Sequence, residues 1–344
     1  MLNVFNLNSL KMAILALAIV SFDCAAYSRA NLFYHSLDNE FFSCFDNCIK
    51  TMGKQKGVSF MTHDANYNYY TQLNQVVNDI TGAQASIVVT SDNIVAKEAL
   101  ERSRDMNLPV VFFNRKPPVS YRSYQKAWFV GTNAAQAGHM QAKLILDYYK
   151  KKGFLDKNEN ERIDFIILRG EKGNTDTTER TIALVSDLLG SGLELNPLSD
   201  NYSDWDLQKA YKDMTTQIRK NGIENIELVI ANNDDMALGA IKALQEIGYN
   251  LGDESKTIPV FGVDGVSSAI KAIKAGYMAG TVYADTSVLA EICLQLVNNF
   301  DITEKELSSL IYVPIANHTI IVSYEPFATF INYRSPKLLK TSID

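Results

Sequence analysis

The chain has 344 residues, of which 47% are hydrophobic and 21% charged, so it can bury a large core, most naturally in two domains. Its formal net charge is −6, and no stripe rich in lysine and arginine runs along it. This balance argues against a protein that binds nucleic acid by attraction to phosphates.

The first predicted element is an export signal over residues 1–26. Lys11 precedes an uncharged run from Met12 to Phe22, which is much shorter than the roughly 20 residues that span a bilayer. Small residues around Cys24 mark the cleavage site. If Cys24 is the first residue of a lipoprotein, the mature chain is tethered to a membrane. Because Ser21-Phe22-Asp23 is a poor lipoprotein motif, tethering stays open.

Short β-rich runs alternate with helical patterns along the rest of the chain. Helices such as NIVAKEALERSRDM (93–106) and MALGAIKALQEIG (236–248) separate apolar runs that end in polar residues. This alternation predicts parallel sheets that are covered by helices on both faces, in two doubly wound α/β domains. The predicted strands are 31–36, 57–64, 85–92 and 108–114 in the first half, and 162–170, 226–234, 257–264 and 280–285 in the second.

Four polar residues, Asn232 to Asp235, follow the apolar run 228–231 directly. One or two of them would suffice to cap the next helix, with Asp234 as the expected cap. The surplus predicts a binding edge, because ligands of open α/β sheets lie beyond the carboxyl ends of the strands. Asn114 and Asp264 end two other predicted strands, so we expect two facing sheets to gather these side chains around one ligand.

Motifs for covalent or phosphate chemistry are missing from the sequence. The segment GEKGNTD (170–176) has the wrong spacing for a P-loop, and there is no G-x-S-x-G elbow. The four histidines, His35, His63, His139 and His318, lie in no catalytic motif. We therefore expect a protein that is not an enzyme.

The cysteines predict core thiols. Cys44 and Cys48 are four residues apart in a helical pattern, and a zinc site there would lack its other ligands. Cys293 lies in another helical pattern. Without Cys24 the count is odd, which gives no disulfide framework.

Amides, carboxylates and one arginine with aromatic residues nearby suit a neutral polyhydroxylated ligand. Each sugar hydroxyl both donates and accepts, so Asn, Asp and Arg side chains can bond adjacent hydroxyls in pairs. An aromatic ring can cover each face of the sugar. The motifs VVFFN (110–114), VIANND (229–234), PVFGVD (259–264) and AGTV (279–282) resemble the galactose/glucose-binding branch of the type I periplasmic sugar-binding protein family.

This resemblance covers residues 29–324 and implies two doubly wound parallel-sheet lobes joined by a three-strand hinge. The implied N-terminal lobe is 28–132 plus 285–321, and the C-terminal lobe is 133–284 plus 322–340. It also implies a periplasmic monomer that takes up galactose or glucose by hinge closure and delivers it to an ABC transporter. In some organisms such proteins also present the sugar to a chemoreceptor.

By position, the resemblance implies that one set of residues bonds to the sugar hydroxyls. It also implies that two aromatic residues stack on the two faces of the sugar ring. Three departures leave the preference between glucose and galactose open. Asn174 stands at a histidine position, and Ala284 replaces an asparagine near the hinge. His35 and Asn39 stand at tyrosine and aspartate positions, although a one-residue shift would place Tyr34 and Asp38 there. The hydroxyl set is Asn114, Asp176, Arg180, Asn233 and Asp264, and the ring pair is Phe41 and Trp205.

The segment DKNENERID (156–164) predicts a structural calcium site. Oxygen ligands alternate as in the first nine positions of an EF-hand loop, and the resemblance adds Glu227 as a distant carboxylate. Against this, Glu161 stands where a glycine normally makes the sharp turn, and a solvated polar loop is the alternative. The expected ligands are Asp156, Asn158, Asn160, the Arg162 carbonyl, Asp164 and Glu227.

Three other functions remain open at this stage. One is a sugar isomerase or hydrolase of similar α/β build. Another is a transcriptional regulator, which would need a helix-turn-helix ahead of residue 30, where the apolar run lies. The third is a receptor that signals without transport, or that binds another ligand such as a pentose or autoinducer.

Overall fold

The computed structural model describes residues 28–117, 120–153, 156–311, 313 and 315–329. The predicted export signal with Cys24, and the last part of the expected C-terminal lobe, lie outside these ranges. Within them, no helix is both long enough and apolar enough to cross a membrane.

The first sheet has seven strands in the order β11-β12-β5-β4-β3-β1-β2. All neighbours run parallel except the short edge pair β11 and β12. We call the part of the molecule built on it the N-terminal lobe. Its strands are β1 (Ser28–Tyr34), β2 (Val58–Asp64), β3 (Ala85–Val89), β4 (Val110–Phe113), β5 (Ala127–Thr132), β11 (Ile315–Ala316) and β12 (Thr319–Val322).

The second sheet has six strands in the order β13-β10-β9-β8-β6-β7, and it forms the C-terminal lobe. Only β13 is antiparallel to its neighbour. Its strands are β6 (Ile163–Arg169), β7 (Leu195–Tyr202), β8 (Leu228–Ala231), β9 (Val260–Asp264), β10 (Gly280–Tyr283) and β13 (Glu325–Phe327).

Helices follow most strands and cover the sheets, so β3, β4 and β8 are buried at every residue. This burial explains why these strands are apolar throughout instead of alternating. The predicted two-lobed α/β architecture is confirmed. The helices are α1 (Glu40–Gln55), α2 (Tyr69–Asp79), α3 (Asn93–Asp105), α4 (Ala134–Lys152), α5 (Thr175–Gly190), α6 (Leu207–Asn221), α7 (Asp234–Glu246), α8 (Ser267–Lys274), α9 (Thr286–Asn298) and α10 (Glu304–Ile311).

The chain passes between the two sheets three times within the described residues: from β5 to α4, from β10 to α9, and from β12 to β13. The hydroxyl of Tyr324, in the third passage, lies 2.6 Å from that of Thr132 at the first. The Tyr324 backbone N–H also donates to Gln136 Oε1 at 3.2 Å. Hydrogen bonds therefore join two of the three passages into one hinge.

Five of the thirteen strands in the described residues have no counterpart among the predicted strands: β5, β7, β11, β12 and β13. The sequence of β7 is LNPLSDNY, which is mostly polar and contains a proline. It lies at the edge of its sheet with an irregularity opposite Phe165 and Ile166, where proline and polar residues are tolerated. The hydrophobic pattern therefore could not reveal it.

The cysteine prediction holds for one residue and fails for two. Cys293 is fully buried in α9, and burial raises the pKa of its thiol. Cys44 and Cys48 are only half-buried. They share the α1 face that borders the second passage, where Cys48 Sγ lies 3.9 Å from Ser287 Oγ, so part of their surface stays open.

Candidate functional site

One pocket lies between the lobes and is lined by fourteen residues, seven from each lobe. All ten residues predicted from the sequence are among them. Four more were missed: Phe42, Tyr67 and Arg115 of the N-terminal lobe and Asp204 of the C-terminal lobe. The predicted residues in the lining are His35, Asn39, Phe41, Asn114, Asn174, Asp176, Arg180, Trp205, Asn233 and Asp264.

The parallel sheets bring these residues together because their strands end at the pocket. His35 follows β1, Asn114 follows β4, Asn233 comes just after β8, and Asp264 is the last residue of β9. Carboxyl ends of parallel strands share one edge of a sheet, and the two sheets present these edges to each other.

Three pocket asparagines cap the helices that begin there. The Oδ1 of Asn39 accepts from Phe41 N at 2.9 Å, that of Asn174 from Asp176 N at 2.8 Å, and that of Asn233 from Met236 N at 3.0 Å. Their oxygens are therefore used by the protein, which leaves the amide NH₂ groups for a ligand. Asn233 also donates to the Trp205 carbonyl at 3.3 Å, and Asn174 to Glu171 Oε2 at 3.4 Å.

The expected cap at Asp234 is wrong, because Asn233 occupies that position. Asp234 is fully buried and turns toward the next strands instead. Its Oδ2 accepts from the backbone N–H groups of Gly265 at 2.6 Å and Val266 at 3.0 Å, and its Oδ1 accepts from Thr281 at 2.6 Å. Three donors hold this carboxylate below the pocket, where it fixes the turn after Asp264.

Arg180 is fixed in the pocket by several partners. It is buried, and its guanidinium donates to the Asn232 carbonyl at 2.6 Å and to Tyr324 Oη at 2.8 Å. Asp264 Oδ1 lies 3.9 Å from Arg180 Nη1. The guanidinium carbon lies over the Trp205 ring, 5.5 Å from its centre. The buried Nε of Arg180 has no partner among the described residues, so this N–H is one that remains for a ligand.

Burial reduces the charge that the pocket presents. It raises the pKa of Asp264 to about 7, although Arg180 opposes the rise, and it raises the pKa of Asp176 as well. On the opposite wall, burial and then the Arg115 guanidinium lower the pKa of His35 well below its ordinary value, so His35 is neutral near pH 7. Its Nδ1 has no partner in the described chain. A neutral carboxyl group and a neutral imidazole can each donate one hydrogen bond and accept another.

Five pocket residues have positive φ angles that are uncommon outside glycine: Tyr67 at 60°, Asn114 at 61°, Asp204 at 53°, Trp205 at 65° and Asp264 at 124°. Such backbone strain costs on the order of 1–3 kcal/mol per residue and concentrates at functional sites. Its presence at five of the fourteen lining residues supports a binding role for this pocket.

The two aromatic residues predicted to stack on the sugar have different surroundings. Phe41 is buried and lies parallel to Phe113, with ring centres 6.4 Å apart. Trp205 is half-buried and packs its indole on Gly170, where a Cβ atom would come within 2.1 Å of the ring. Glycine at position 170 permits this close approach. Both rings belong to the pocket lining.

Two of the missed residues flank His35. Its ring makes edge contacts with Phe42 at 5.2 Å and with Tyr67 at 5.8 Å. A third, Arg115, donates to Glu171 Oε1 at 2.8 Å across the two lobes. Asp204 precedes Trp205 and accepts from Lys209. No helical or strand periodicity marks Tyr67, Arg115 or Asp204, because all three lie in connecting segments.

The predicted calcium loop is wrapped around its own polar side chains. Asp156 accepts from the backbone N–H groups of Asn160 at 3.0 Å and Glu161 at 2.7 Å. Glu161 has φ 62°, so the loop makes the sharp turn without the usual glycine. Arg162 N donates to Asn160 Oδ1 at 2.9 Å.

Further along this loop, Asp164 is the common acceptor. The amides of Asn158 and Asn160 donate to its Oδ2 at 2.6 and 2.8 Å, and its own N–H donates to Glu227 Oε2 at 2.9 Å. Among the described residues, no three His, Cys, Asp or Glu side chains are arranged to hold a metal by themselves. A cation at this loop would therefore also need the amide oxygens, whereas in this structure the NH₂ groups of both amides donate to Asp164.

Comparison with known proteins places the chain in a family. The sequence profile described as "Periplasmic binding protein domain" matches residues 30–300. This chain belongs to the periplasmic binding protein family. A curated relative, the D-galactose/methyl-galactoside binding periplasmic protein of Haemophilus influenzae, is 31% identical over 293 residues, which cover 83% of this chain and 85% of the relative.

Solved structures of periplasmic binding proteins share the fold. A solute-binding protein from Actinobacillus succinogenes with bound D-allose superposes with a TM-score of 0.70 at 20% identity, covering 88% of this chain and 97% of the other. The arabinose transporter component from Shewanella sp. ANA-3 gives 0.71 at 18% identity, over 87% and 91%. At this identity the similarity shows the fold alone.

Proposed function

We propose that this periplasmic binding protein takes up a neutral monosaccharide between its lobes and delivers it to an ABC transporter. The observation that carries the proposal is the composition of the interlobe pocket. Asparagine NH₂ groups, carboxyls with raised pKa values, a buried arginine and two rings face one space from both lobes. Such a set of donors and acceptors matches a polyhydroxylated ligand, because each hydroxyl both donates and accepts.

Pairing of hydroxyls accounts for selectivity. The NH₂ group of Asn39 and the second N–H of the Asn174 and Asn233 amides can donate to ligand oxygens, while Asp176 and Asp264 accept from ligand O–H groups. Each buried group left unpaired costs about 1–3 kcal/mol, so a ligand lacking a hydroxyl binds more weakly. Among sugars, we favour a hexose, galactose or glucose, because the named relative binds D-galactose and the allose complex also contains a hexose.

Binding is coupled to closure of the hinge. Contacts already cross between the lobes at Arg115–Glu171 and at Glu40, whose N–H donates to Asp235 at 3.3 Å and whose Oε1 accepts from Ser268 N at 3.2 Å. A sugar that bonds both walls adds contacts only in the closed form, so it shifts the population toward closure. The transporter can then distinguish the loaded protein from the empty one.

Calorimetric titration with a panel of hexoses and pentoses tests the proposal. We expect one-to-one binding of a hexose, lost in Trp205→Ala and Asp264→Ala and retained in the surface variant Asp105→Asn. Unchanged binding in both pocket variants would contradict it. Product analysis after long incubation separates the enzyme alternative, because a binding protein returns the sugar unaltered.

Delivery and location follow from the same proposal. We place the mature protein in the periplasm, and deletion of its gene should abolish uptake of the labelled sugar that the protein binds. Retained uptake would favour a receptor that signals without transport. A chemoreceptor is a second expected partner, and loss of chemotaxis toward that sugar in the deletion strain would support it.

We further propose that the loop 156–164 with Glu227 holds a structural calcium ion. Three carboxylates, two amide oxygens and one backbone carbonyl supply hard oxygen ligands. Calcium should raise the melting temperature, and a chelator should lower it. Glu227→Gln should weaken this response, whereas Glu224→Gln, on the exposed turn nearby, should retain it. An unchanged melting temperature in calcium and in chelator would support a metal-free polar loop.

A further inference from the structure

The buried hydroxyl of Tyr324 has two partners that belong to different parts of the molecule. Arg180 Nη2, in the pocket wall, donates to it at 2.8 Å. Thr132 Oγ1, on the last residue of β5, lies 2.6 Å from it. Arg180 lines the pocket, whereas Tyr324 and Thr132 are not among its fourteen lining residues. One hydroxyl therefore connects the pocket wall to the point where the chain leaves the N-terminal lobe.

The chemistry of the three groups fixes the direction of these hydrogen bonds. A guanidinium only donates, so the Tyr324 oxygen accepts from Arg180, and its own hydrogen is donated to Thr132 Oγ1, the acceptor beside it. Burial raises the pKa of Tyr324 to about 12, although Arg180 opposes the rise, so the phenol keeps this hydrogen at neutral pH. Buried hydrogen bonds in such a chain polarise one another, and the charged donor strengthens the first of them.

The position of Tyr324 depends on the hinge. Tyr324 lies in the third passage, between β12 and β13, and its backbone N–H donates at 3.2 Å to Gln136 Oε1, in the first turn of α4. Thr132 and Gln136 stand on either side of the first passage. Rotation of one lobe against the other has to change backbone torsions in the passages, because these absorb the movement in a hinged closure. The hydroxyl can therefore meet Arg180 and Thr132 together only over a limited range of hinge angles.

The orientation of Arg180 depends in turn on Tyr324. The Nη1 end of the guanidinium is held by the Asn232 carbonyl at 2.6 Å, and the Nη2 end by the Tyr324 hydroxyl. The guanidinium carbon also lies over the Tyr324 ring, 5.7 Å from its centre. Two bonds at opposite ends fix the tilt of the planar group. Without the hydroxyl, Arg180 would be free to tilt away from the orientation that leaves its Nε for a ligand.

We propose that Tyr324 is a positioning residue that couples the hinge to the sugar site. In the hinge conformation of this structure it fixes Arg180, so closure of the lobes and the orientation of the arginine depend on each other. By reciprocity, a sugar that bonds to Arg180 also stabilises the hinge contacts of Tyr324. This inference rests on the proposed function, because it concerns how a bound sugar is linked to closure.

Tyr324→Phe tests the coupling, because it removes the hydroxyl and keeps the buried ring. Calorimetric titration with galactose and glucose should show at least about a tenfold loss of affinity, since a buried hydrogen bond to a charged group is lost. Small-angle X-ray scattering at saturating sugar should show a smaller decrease in the radius of gyration than in wild type. A purely structural role of Tyr324 would lower stability without changing this decrease.

Tyr121→Phe is the matched control. Tyr121 and Tyr324 are both 3% exposed, and the Tyr121 hydroxyl also lies 2.6 Å from that of a threonine, Thr319, but both of these residues belong to the N-terminal lobe. This variant should lower the melting temperature and leave sugar affinity and closure unchanged.

Thr132→Val tests the same coupling without altering the tyrosine. It removes the acceptor of the Tyr324 hydrogen at a residue outside the pocket lining, so affinity should fall by about fivefold, less than when the charged bond is lost. Thr132→Ser keeps the hydroxyl and should retain wild-type affinity.

The outcomes separate this inference from the proposed function. If wild type binds a hexose and Tyr324→Phe binds it as tightly as Tyr121→Phe does, the coupling is contradicted and the proposed function stands. Weak binding in Tyr324→Phe with wild-type affinity and closure in Thr132→Val would reduce Tyr324 to a local contact of Arg180, which also overturns the coupling. If wild type binds no sugar, both proposals fail.

Discussion

The two walls of the interlobe pocket are built differently. The N-terminal wall is mostly rings and neutral groups, with His35, Phe41, Phe42 and Tyr67 packed edge to face. The C-terminal wall contains most of the ionisable groups, and Arg180 is fixed there by partners on several segments. We infer that the C-terminal wall orients the sugar by hydrogen bonds, whereas the N-terminal wall covers it and excludes water.

Preorganisation explains why this division matters. Arg180 and Asp264 are held before any ligand arrives, so binding does not have to order them. Removing one of them leaves buried partners unpaired, so it should weaken sugar binding more than removal of a ring does. Substitutions in the two walls and at the contact between the lobes test this difference, and the largest effect is expected at Arg180.

Arg180→Met should have the largest effect, because it leaves the Asn232 carbonyl, Tyr324 hydroxyl and Asp264 without their cation. Loss of one member of a buried charged cluster costs about 3–5 kcal/mol, so we expect at least about a hundredfold loss of hexose affinity and a lower melting temperature. Calorimetry and thermal melting measure both. Arg219→Met, at an exposed position, is the control. Near-native affinity in Arg180→Met would show that this wall does not orient the sugar.

Removal of the Phe41 ring should mainly lower stability, whereas removal of the Trp205 ring should mainly lower affinity for the sugar. Phe41→Ala removes a buried ring that packs against Phe42 and Phe113, so we expect a loss of about 3–5 kcal/mol in the free energy of unfolding. Trp205→Ala removes a half-buried ring, so affinity should fall more than stability does. Urea titration and calorimetry on both variants measure the difference. Equal losses of stability would contradict the contrast.

Asn39→Asp should alter the choice of sugar with little effect on the fold. The aspartate still caps α1, and it replaces the free NH₂ donor with an acceptor. We expect the ratio of galactose to glucose affinities to change by about tenfold, since one hydrogen bond contributes on the order of 1 kcal/mol. Paired titrations measure the ratio. A ratio within twofold of the wild-type ratio would mean that residue 39 does not discriminate between galactose and glucose.

The smallest effect should come from Asp235, which lies where the lobes meet. Burial raises its pKa to about 7, and Glu40, Asp38 and Asp206 add to the rise. The folded protein therefore favours the neutral carboxyl, and this stabilisation is present below about pH 4 and is lost as the pH rises through 7.

Asp235→Asn removes that dependence and keeps the acceptor for Glu40 N. Between pH 5 and pH 8 its melting temperature should fall by a few degrees less than that of wild type. Asp105→Asn, on the exposed end of α3, should follow wild type. A fall as large as that of wild type in Asp235→Asn would show that this carboxyl does not titrate in the range.

Much of the site could be predicted because it lies at strand ends. Asn114, Asn233 and Asp264 end apolar runs, and parallel sheets bring such ends together whatever the loops do. Helix-capping was harder to assign, since four adjacent residues could cap α7 and only the buried donors around Asp234 decide between them.

Other features depend on tertiary context that no local pattern records. The edge strand β7 is polar and bulged, so periodicity could not identify it. Tyr67 and Asp204 reach the pocket from connecting segments in strained backbone conformations. The ion pair between Arg115 and Glu171 depends on how the lobes approach each other, which the sequence of either lobe alone does not specify.

A crystal structure of the protein grown with the hexose that binds most tightly tests the central claim most directly. The account predicts one sugar between the rings of Phe41 and Trp205, with hydroxyls bonded to both walls and to Arg180 and Asp264. An empty interlobe pocket, or a Trp205 side chain turned into bulk solvent, would contradict it.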